Sequence, residues 1–260
     1  MNYTTLKFER EEAIARITLA RPEKRNAISR AMIEELLRAF DEAEQSGARV
    51  VVLTGEGKAF CAGMDLEGLQ GIAQQSEAEN VKDSRRMARL FRRVYTFPRP
   101  VIAAVNGAAI AGGCGIATLA DFTLAVPEAK FGYTEVKIGF LPALVSVFLR
   151  RQIGEKHARE LLLTGKIVDA AEAYRLGLVN EIVPGEGLAG RAEELAASLL
   201  AVSPASVMKT KELLAASDAE ALDAELELAV QANAEIRATS DFREGVASFL
   251  EKREPKWGSE

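Results

Sequence analysis

The order of apolar and polar positions predicts a chain that begins with alternating strands and helices. Residues 4–19 alternate in character on both sides of an acidic turn, which predicts a β-hairpin. After Ser29, a typical helix N-cap, apolar residues recur at helical spacing up to Gly47. Residues 50–54 form a continuous apolar run, typical of a strand buried on both faces. Together these elements predict an α/β core up to about Val126.

Beyond residue 142 the spacing becomes purely helical. From there the pattern predicts only helices, with a turn at residues 180–185. The sequence contains no internal repeat. Residues 68–79 are polar and rich in glycine and glutamine, which favours a mobile loop. The predicted helices cover residues 77–95, 144–153, 155–163, 169–176, 188–200, 204–215, 220–239 and 241–252.

The rest of the chain is organised around residues 101–142. An apolar run leads through Asn106 and Gly107 to the glycine-rich segment 112–115, which opens a helical pattern ending at Asp121. Glycines let a ligand approach the main chain, and the first turn of a helix has unpaired N–H groups. Glu135 follows in an apolar segment. The pattern fits an anion site with an acid beside it, or equally glycines that only permit close packing and a solvated Glu135.

Composition and charge exclude several classes of function. The 260 residues carry a net charge of −5 with scattered basic residues, so no nucleic-acid footprint is visible. The start lacks the pattern of a secretory signal, and no apolar run reaches the roughly 18 residues of a membrane span. Cys61 and Cys114 lack metal-ligand spacing, and the single histidine, His157, argues against a catalytic triad. We therefore expect a cytoplasmic protein with no metal, no membrane partner and no nucleic acid.

Common nucleotide and hydrolase motifs are missing. Residues 113–118 supply two glycines of a GxGxxG fingerprint but not the third, and GxxxxGK[ST], HExxH and GxSxG do not occur. Two glycine loops remain, around Gly63 and at Ala111-Gly112, together with one acid. If their N–H groups converge, they can hold a carbonyl oxygen as it becomes an enolate. Glu135 could then act as the base, with its pKa raised by desolvation.

Six segments together carry a resemblance to a known family. They are RPEKRNAIS, VVVLTGEGKAFCAGMDL, RPVIAAVNGAAIAGGCGIATLADFTLA, KFGYTEVKIGFLP, LLLTGKIVDAAEAYRLGLVNEIVP and EGVASFLEKREP. Over almost its full length the chain resembles the crotonase, or enoyl-CoA hydratase/isomerase, superfamily. The resemblance implies an α/β fold, a crotonase-like spiral of ββα units in residues 1–202, and a C-terminal helical trimerisation region in residues 203–260. It also implies a homo-oligomer (a trimer or a dimer of trimers) and an acyl-CoA thioester substrate, with coenzyme A part of the substrate and no separate cofactor.

The resemblance also implies roles for individual residues. The oxyanion hole falls on the backbone N–H groups of Met64 and Gly112, and Glu135 matches the second of the two glutamates of hydratases. Gly115 stands where the first glutamate should be. The implied substrate and CoA contacts, the last two often supplied by an adjacent subunit, are Lys24, Arg25, Ala27, Ala62, Asp65, Leu66, Gly115, Phe249 and Lys252.

Three functions stay open from the sequence. The first is hydration of a 2-enoyl-CoA, including branched ones such as 3-methylglutaconyl-CoA, with Glu135 as acid and base. The second is isomerisation of an enoyl-CoA double bond, which needs only one base. The third is a non-catalytic acyl-CoA-binding paralogue. Arg85, Arg86 and Arg89 could meet a substrate carboxylate or simply form a solvated helix face.

Overall fold

The fold combines two sheets with helices on their outer sides. The computed structural model describes residues 2–72 and 75–258, with all their side chains except those of residues 66 and 67. The strands in this part of the chain are β1 (Leu6–Glu11), β2 (Ile14–Leu19), β3 (Val50–Gly55), β4 (Ala59–Cys61), β5 (Val101–Val105), β6 (Ala108–Ile110), β7 (Phe122–Ala125), β8 (Lys130–Gly132), β9 (Ile167–Asp169) and β10 (Glu181–Ile182). The helices are α1 (Arg30–Gln45), α2 (Leu66–Ile72), α3 (Glu77–Tyr95), α4 (Gly112–Thr118), α5 (Ala143–Thr164), α6 (Ala170–Leu176), α7 (Leu188–Leu200), α8 (Pro204–Ala216), α9 (Ala219–Ile236) and α10 (Ser240–Glu251), and the short 3-10 helices are Pro22–Lys24, Glu135–Ile138 and Gly185–Gly187.

Successive units of the chain visit both sheets in turn. The larger sheet has the order β1-β2-β3-β5-β7-β10 and the smaller one β4-β6-β8-β9. β3, β5 and β7 each enter the larger sheet, are followed by β4, β6 and β8 in the smaller sheet, and then lead to helices. These repeated ββα turns confirm the predicted spiral. The hairpin is also confirmed, because β1 and β2 pair antiparallel with Leu6 opposite Leu19.

Several predicted helices are confirmed together with the side chains that bound them. Ser29 caps α1 by accepting the N–H of Met32, and α3 has the predicted bounds with a capping box formed by Ser76 and Glu79. The two helices predicted on either side of residue 154 are segments of α5, interrupted at Gly154, where φ is 75°. Glycine adopts this conformation without a Cβ penalty, which explains why the helical spacing shifts there.

Three sequence predictions about the later chain are wrong. The chain after residue 142 is not helical alone, since β9 and β10 lie there, and β10 lies within the predicted turn at residues 180–185. The helix predicted to end at Asp121 ends at Thr118, and β6 precedes it. These strands have only two or three residues, too few to show alternation, and they form because β7 and β8 offer them hydrogen-bonding edges.

The expected loop at residues 68–79 is largely helical. The helix α2 extends to Ile72 and α3 begins at Glu77, while residues 73 and 74 lie outside the described part of the chain. Leu69 and Ile72 are buried against Phe242 and Val246 of α10. This contact, which lies far away in the sequence, supplies the apolar packing that a short polar helix needs.

Most buried apolar residues form one large cluster, separate from the small one between α2 and α10, and the helix α8 is more exposed than its neighbours. Cys61 and Cys114 are both buried and unpaired with each other, as expected for small core residues. The helix α9 packs on α3 and α5, whereas α8 has no buried residue and exposes Leu213 and Leu214 to 63% and 71%. Among the described residues, no helix is long and apolar enough to cross a bilayer. The division at residue 203 into core and trimerisation region stays a prediction.

Candidate active site

The loop around Gly63 lies directly against the junction between β6 and α4. Gly63 has φ of +87°, and a Cβ there would lie 3.0 Å from the carbonyl oxygen of Ile110 and 3.1 Å from the Cβ of Ala111. At Gly113 a Cβ would lie 2.4 Å from the carbonyl oxygen of Cys61. Glycine is therefore required at both positions, because the two loops approach each other at main-chain distance. The two glycine loops therefore lie in direct contact, which the oxyanion hypothesis from the sequence requires.

Two main-chain N–H groups at this junction are unpaired. Residues next to Met64 bond to the preceding loop, since Ile28 N–H donates to the Gly63 carbonyl at 2.6 Å and Asp65 N–H donates to the Ile28 carbonyl at 3.1 Å. This parallel bridge leaves the N–H of Met64 unused. Gly112 is the first residue of α4, so its N–H has no partner inside the helix. Within the described residues, neither N–H has a hydrogen-bond partner.

The backbone at Ala111 is strained and controls the orientation of the second N–H. Ala111 has φ of 50° and ψ of −127°, a region that costs a residue with a Cβ about 1–3 kcal/mol. Its own N–H donates to the Gly132 carbonyl at 2.7 Å, and its carbonyl accepts the Gly115 N–H at 3.0 Å. These bonds hold the peptide that carries the Gly112 N–H. Strain of this kind, maintained by surrounding bonds, is typical of a functional site.

Glu135 is a buried carboxylate with an unpaired oxygen. It begins the 3-10 helix Glu135–Ile138, and only 8% of the residue is exposed. Its Oε2 has no hydrogen-bond partner in the described structure. Burial raises the pKa of Glu135 from 4.5 to about 7, and a hydrogen bond from its own main-chain N–H opposes the shift. A carboxyl group in this range can both accept and donate a proton near neutral pH.

A cavity of about 850 Å³ brings these groups together. It is lined by Met64, Gly112 and Glu135, which confirms that the sequence singled out neighbours in space. The predicted CoA contacts that also line it are Lys24, Arg25, Ala27, Ala62, Asp65 and Phe249. Gly115 and Lys252 are not among the lining residues, and the side chain of Leu66 lies outside the described part. The binding and catalytic roles of all these residues stay predictions.

Asp65 is held by structural bonds rather than left free for a ligand. One of its carboxylate oxygens accepts the Gly68 N–H at the start of α2, at 2.9 Å, and the other pairs with Arg21 at 3.1 Å. Arg21 also donates to the carbonyl of Ala27 at 2.6 Å. Asp65 and Arg21 thus fix the two loops that line this side of the cavity. Arg21 lies at the start of the matched segment RPEKRNAIS, and sequence reasoning did not single it out.

The position of the missing first glutamate is closed by apolar side chains. A Cβ on Gly115 would lie 2.8 Å from Cζ of Phe91 and 2.8 Å from Cγ1 of Val145. Both of these side chains line the cavity, and Gly115 lies behind them. The wall on this side is therefore apolar, and Gly115 is a packing requirement of the helix crossing. The distance in sequence between the three residues explains why the sequence did not reveal this.

The cavity has a second polar wall that the sequence analysis missed. Arg237, Asp83 and Asn233 line it. The sequence signal for this wall was the buried face of α9, formed by Leu222, Leu226 and Val230 at helical spacing. The polar residues Asn233 and Arg237 continue the same face, which places them in the interior. Arg85, Arg86 and Arg89 do not line the cavity. Arg85 instead pairs with Glu227, and Arg86 pairs with Glu34 and Asp83.

Comparison with known proteins places the fold and the site in a single class. A crystal structure of an enoyl-CoA hydratase/isomerase from Xanthobacter autotrophicus Py2 has a TM-score of 0.88 and 32% identity, covering 97% of this chain and 98% of that one. The chain therefore has the crotonase fold, with parallel sheets and a C-terminal helical region.

Sequence relatives narrow this class to a family. A Thermus thermophilus protein provisionally named an enoyl-CoA hydratase is 48% identical over 94% of this chain and 97% of its own. The Escherichia coli 2,3-dehydroadipyl-CoA hydratase is 33% identical over 95% of each chain. A family model described as Enoyl-CoA hydratase/isomerase matches residues 9–260. The chain belongs to the enoyl-CoA hydratase/isomerase family.

Proposed function

We propose that this protein hydrates the double bond of a 2-enoyl-CoA, with Glu135 as the acid and base. The observation that carries the proposal is the buried carboxylate of Glu135, whose Oε2 has no partner among the described residues, in the same cavity as two main-chain N–H groups that likewise have none there. Membership of the family and the names of the two relatives support hydration. The proposed substrates include branched enoyl-CoA thioesters such as 3-methylglutaconyl-CoA.

The chemistry follows from where charge develops. Water attacks the β-carbon of the unsaturated thioester, and the electrons of the double bond move to the carbonyl oxygen, which becomes an enolate. The N–H groups of Met64 and Gly112 stabilise this oxygen, because donors fixed in a dry site need no reorganisation during the reaction. Glu135 takes the proton lost by the water and then returns it to the α-carbon. The thioester supplies coenzyme A, so the proposed reaction uses no separate cofactor.

A second candidate is favoured by the apolar wall at Gly115. Phe91 and Val145 fill the space where a second carboxylate would hold water. An isomerase needs only one base, which removes a proton from the α-carbon of a 3-enoyl-CoA and returns it to the γ-carbon through the same enolate. Glu135 alone could perform both transfers.

We also propose that the protein works as a homo-oligomer, a trimer or a dimer of trimers. Leu213, Leu214 and Leu228 are 63–72% exposed on α8 and α9, and exposed apolar clusters of this kind mark contact surfaces. Phe249 lines the cavity and is 50% exposed. It lies near the end of α10, where Lys252 forms the C-cap. Since Phe249 lines the cavity of its own chain and Lys252 does not, the residue that a neighbouring subunit would add to the CoA site in our proposal is Lys252.

One assay separates the candidate functions. The purified protein is incubated with crotonyl-CoA, with 3-methylglutaconyl-CoA and with a 3-enoyl-CoA, and the absorbance of the conjugated thioester is followed. Hydration removes this absorbance from the first two substrates, whereas isomerisation creates it from the third. No change with any of them, combined with measurable CoA-thioester binding, would replace our proposal with that of a binding protein.

A further inference from the structure

Arg237 is a buried cation at the far wall of the cavity. Only 4% of the residue is exposed. Its Nη1 donates to Asp83 at 3.1 Å and to Asn80 at 3.2 Å, both on α3. The ring of Phe140 lies 5.3 Å from its Cζ, which fixes the plane of the guanidinium. Burial lowers the pKa of Arg237 and Asp83 opposes the shift, yet a guanidinium stays charged in proteins.

One edge of this guanidinium lacks a partner. Within the described residues, the hydrogen bonds of Arg237 all start from Nη1, and its buried Nε has none. Nε and Nη2 form the edge that binds a carboxylate with two parallel hydrogen bonds. Leaving a buried donor unpaired is unfavourable. Nε is enclosed by protein atoms, whereas Nη2 is not enclosed in this way and has no partner among the described residues, so the cavity that Arg237 lines offers a place for a ligand acceptor at Nη2.

The charges around Arg237 allow an anion there. The cavity-lining carboxylate of Asp83 is shared between Arg237 and Arg86, at 3.1 and 3.2 Å. The other partner of Arg86 is Glu34, whose side chain is 52% exposed and therefore largely screened by solvent. The buried Arg237 and the partly buried Arg86 thus share one partly buried carboxylate. Asn80 and Asn233, the other polar neighbours, are neutral.

The position of Arg237 matches the end of a short acyl chain. Met87 of α3 lies beside the oxyanion position, because a Cβ on Gly112 would be 3.0 Å from its Cε. Asp83 lies one helical turn further along α3, a displacement of about 6 Å along the helix axis. Gly112, Met87, Asp83 and Arg237 line the same cavity, so our proposal has the acyl chain of a thioester run from the carbonyl position at Gly112 along α3 to Arg237.

We propose that the free edge of Arg237 binds a carboxylate at the end of the acyl chain, so that the preferred substrates are short acyl-CoA thioesters with a terminal carboxylate. This inference rests on the proposed function for the position of the thioester. It adds that Arg237, which is neither an oxyanion donor nor the proposed acid, selects the acyl chain that binds in the same cavity.

Binding of unreactive thioesters tests the proposal without requiring turnover. Affinities are measured by calorimetry for two matched pairs of equal length, glutaryl-CoA against pentanoyl-CoA and adipyl-CoA against hexanoyl-CoA. We expect the wild-type protein to prefer the carboxylate-ended member of at least one pair by about 10- to 100-fold, the range of a charge-assisted bond. Arg237→Met should abolish this preference, and Arg237→Lys should retain part of it because the charge remains.

The control variant is Arg92→Met, which removes another ion pair between α3 and α9, the one with Asp223. It should leave the preference unchanged, since Arg92 does not line the cavity. Equal or weaker wild-type binding of both carboxylate-ended thioesters would overturn the proposal, whether or not the variants fold. A preference for them in a protein that hydrates no enoyl-CoA would instead overturn the proposed function and leave the role of Arg237 standing.

Discussion

The cavity wall at Glu135 carries a carboxylate, whereas the cavity wall at Gly115 is apolar. At Glu135 the chain buries a carboxylate and leaves one of its oxygens unpaired. At Gly115 it places no side chain, and Phe91 and Val145 occupy the space. One wall therefore holds a group that is unfavourable for folding, while the other is optimised for packing. A buried carboxylate that lowers stability supports the proposal that Glu135 takes part in the reaction.

The largest expected effect is the loss of turnover when the carboxylate of Glu135 is removed. Glu135→Gln keeps the shape of the side chain but cannot accept a proton, so turnover should fall by about 10²- to 10⁴-fold. Binding of the unreactive thioester should change little, because the N–H groups of Met64 and Gly112 remain. Steady-state kinetics and calorimetry on the same preparation measure both quantities. An unchanged rate would show that Glu135 is not the base.

The same substitution should reveal the cost of the buried carboxylate. The pKa of Glu135 is raised, so the folded protein binds a proton more tightly than the unfolded chain does, and stability is lost as the pH rises from about 4.5 to about 7. Above pH 7 the ionised Glu135 lowers the free energy of unfolding by about 3 kcal/mol, at about 1.4 kcal/mol per pKa unit. Glu135→Gln should therefore stabilise the protein at pH 9 and have little effect at pH 4.

Denaturant unfolding of both proteins at the two pH values measures this difference. The control is Glu155→Gln, since Glu155 is exposed and pairs with Arg159. The pKa of Glu155 is lowered by Arg159, so its substitution should not stabilise the protein at high pH. If Glu135→Gln were equally neutral at pH 9, the carboxylate of Glu135 would not be desolvated in the folded protein.

A smaller effect is expected at the second wall. Gly115→Ala adds a methyl group within 2.8 Å of Phe91 and Val145, and overpacking of this size typically costs about 1–3 kcal/mol. Combining it with Val145→Ala should recover part of the loss, because the second change makes room. Thermal unfolding of the two variants and of Val145→Ala alone measures the coupling. Strictly additive effects would contradict the contact between these side chains.

Turnover of the Gly115→Ala, Val145→Ala double variant tests whether the apolar wall takes part in the reaction. If this wall only packs the helix, the double variant should keep its rate with a 2-enoyl-CoA within a few-fold of the wild type. A loss as large as that of Glu135→Gln would mean that the apolar wall takes part in the reaction.

Much of the fold could be predicted from local sequence because its signals are local. The helix α3 has the predicted bounds, since the capping residues at its start and the two prolines after its end lie next to the helix in the chain. The glycines at 63 and 112–113 and the acid at 135 could also be identified, because main-chain donors and a carboxylate in apolar surroundings need particular residue types. The short strands β8, β9 and β10 could not, since they depend on edges supplied by β6, β8 and β7, respectively.

By itself, the sequence determined the family, the ββα spiral and the two donor loops, because these depend on residue type and spacing along the chain. Only the tertiary structure decided what surrounds them. It placed Phe91 and Val145 against Gly115, and it brought Arg237 from the end of α9 to Asp83 of α3. Packing and desolvation act between residues far apart in the chain, so the sequence names the reactive groups while their environment depends on the fold.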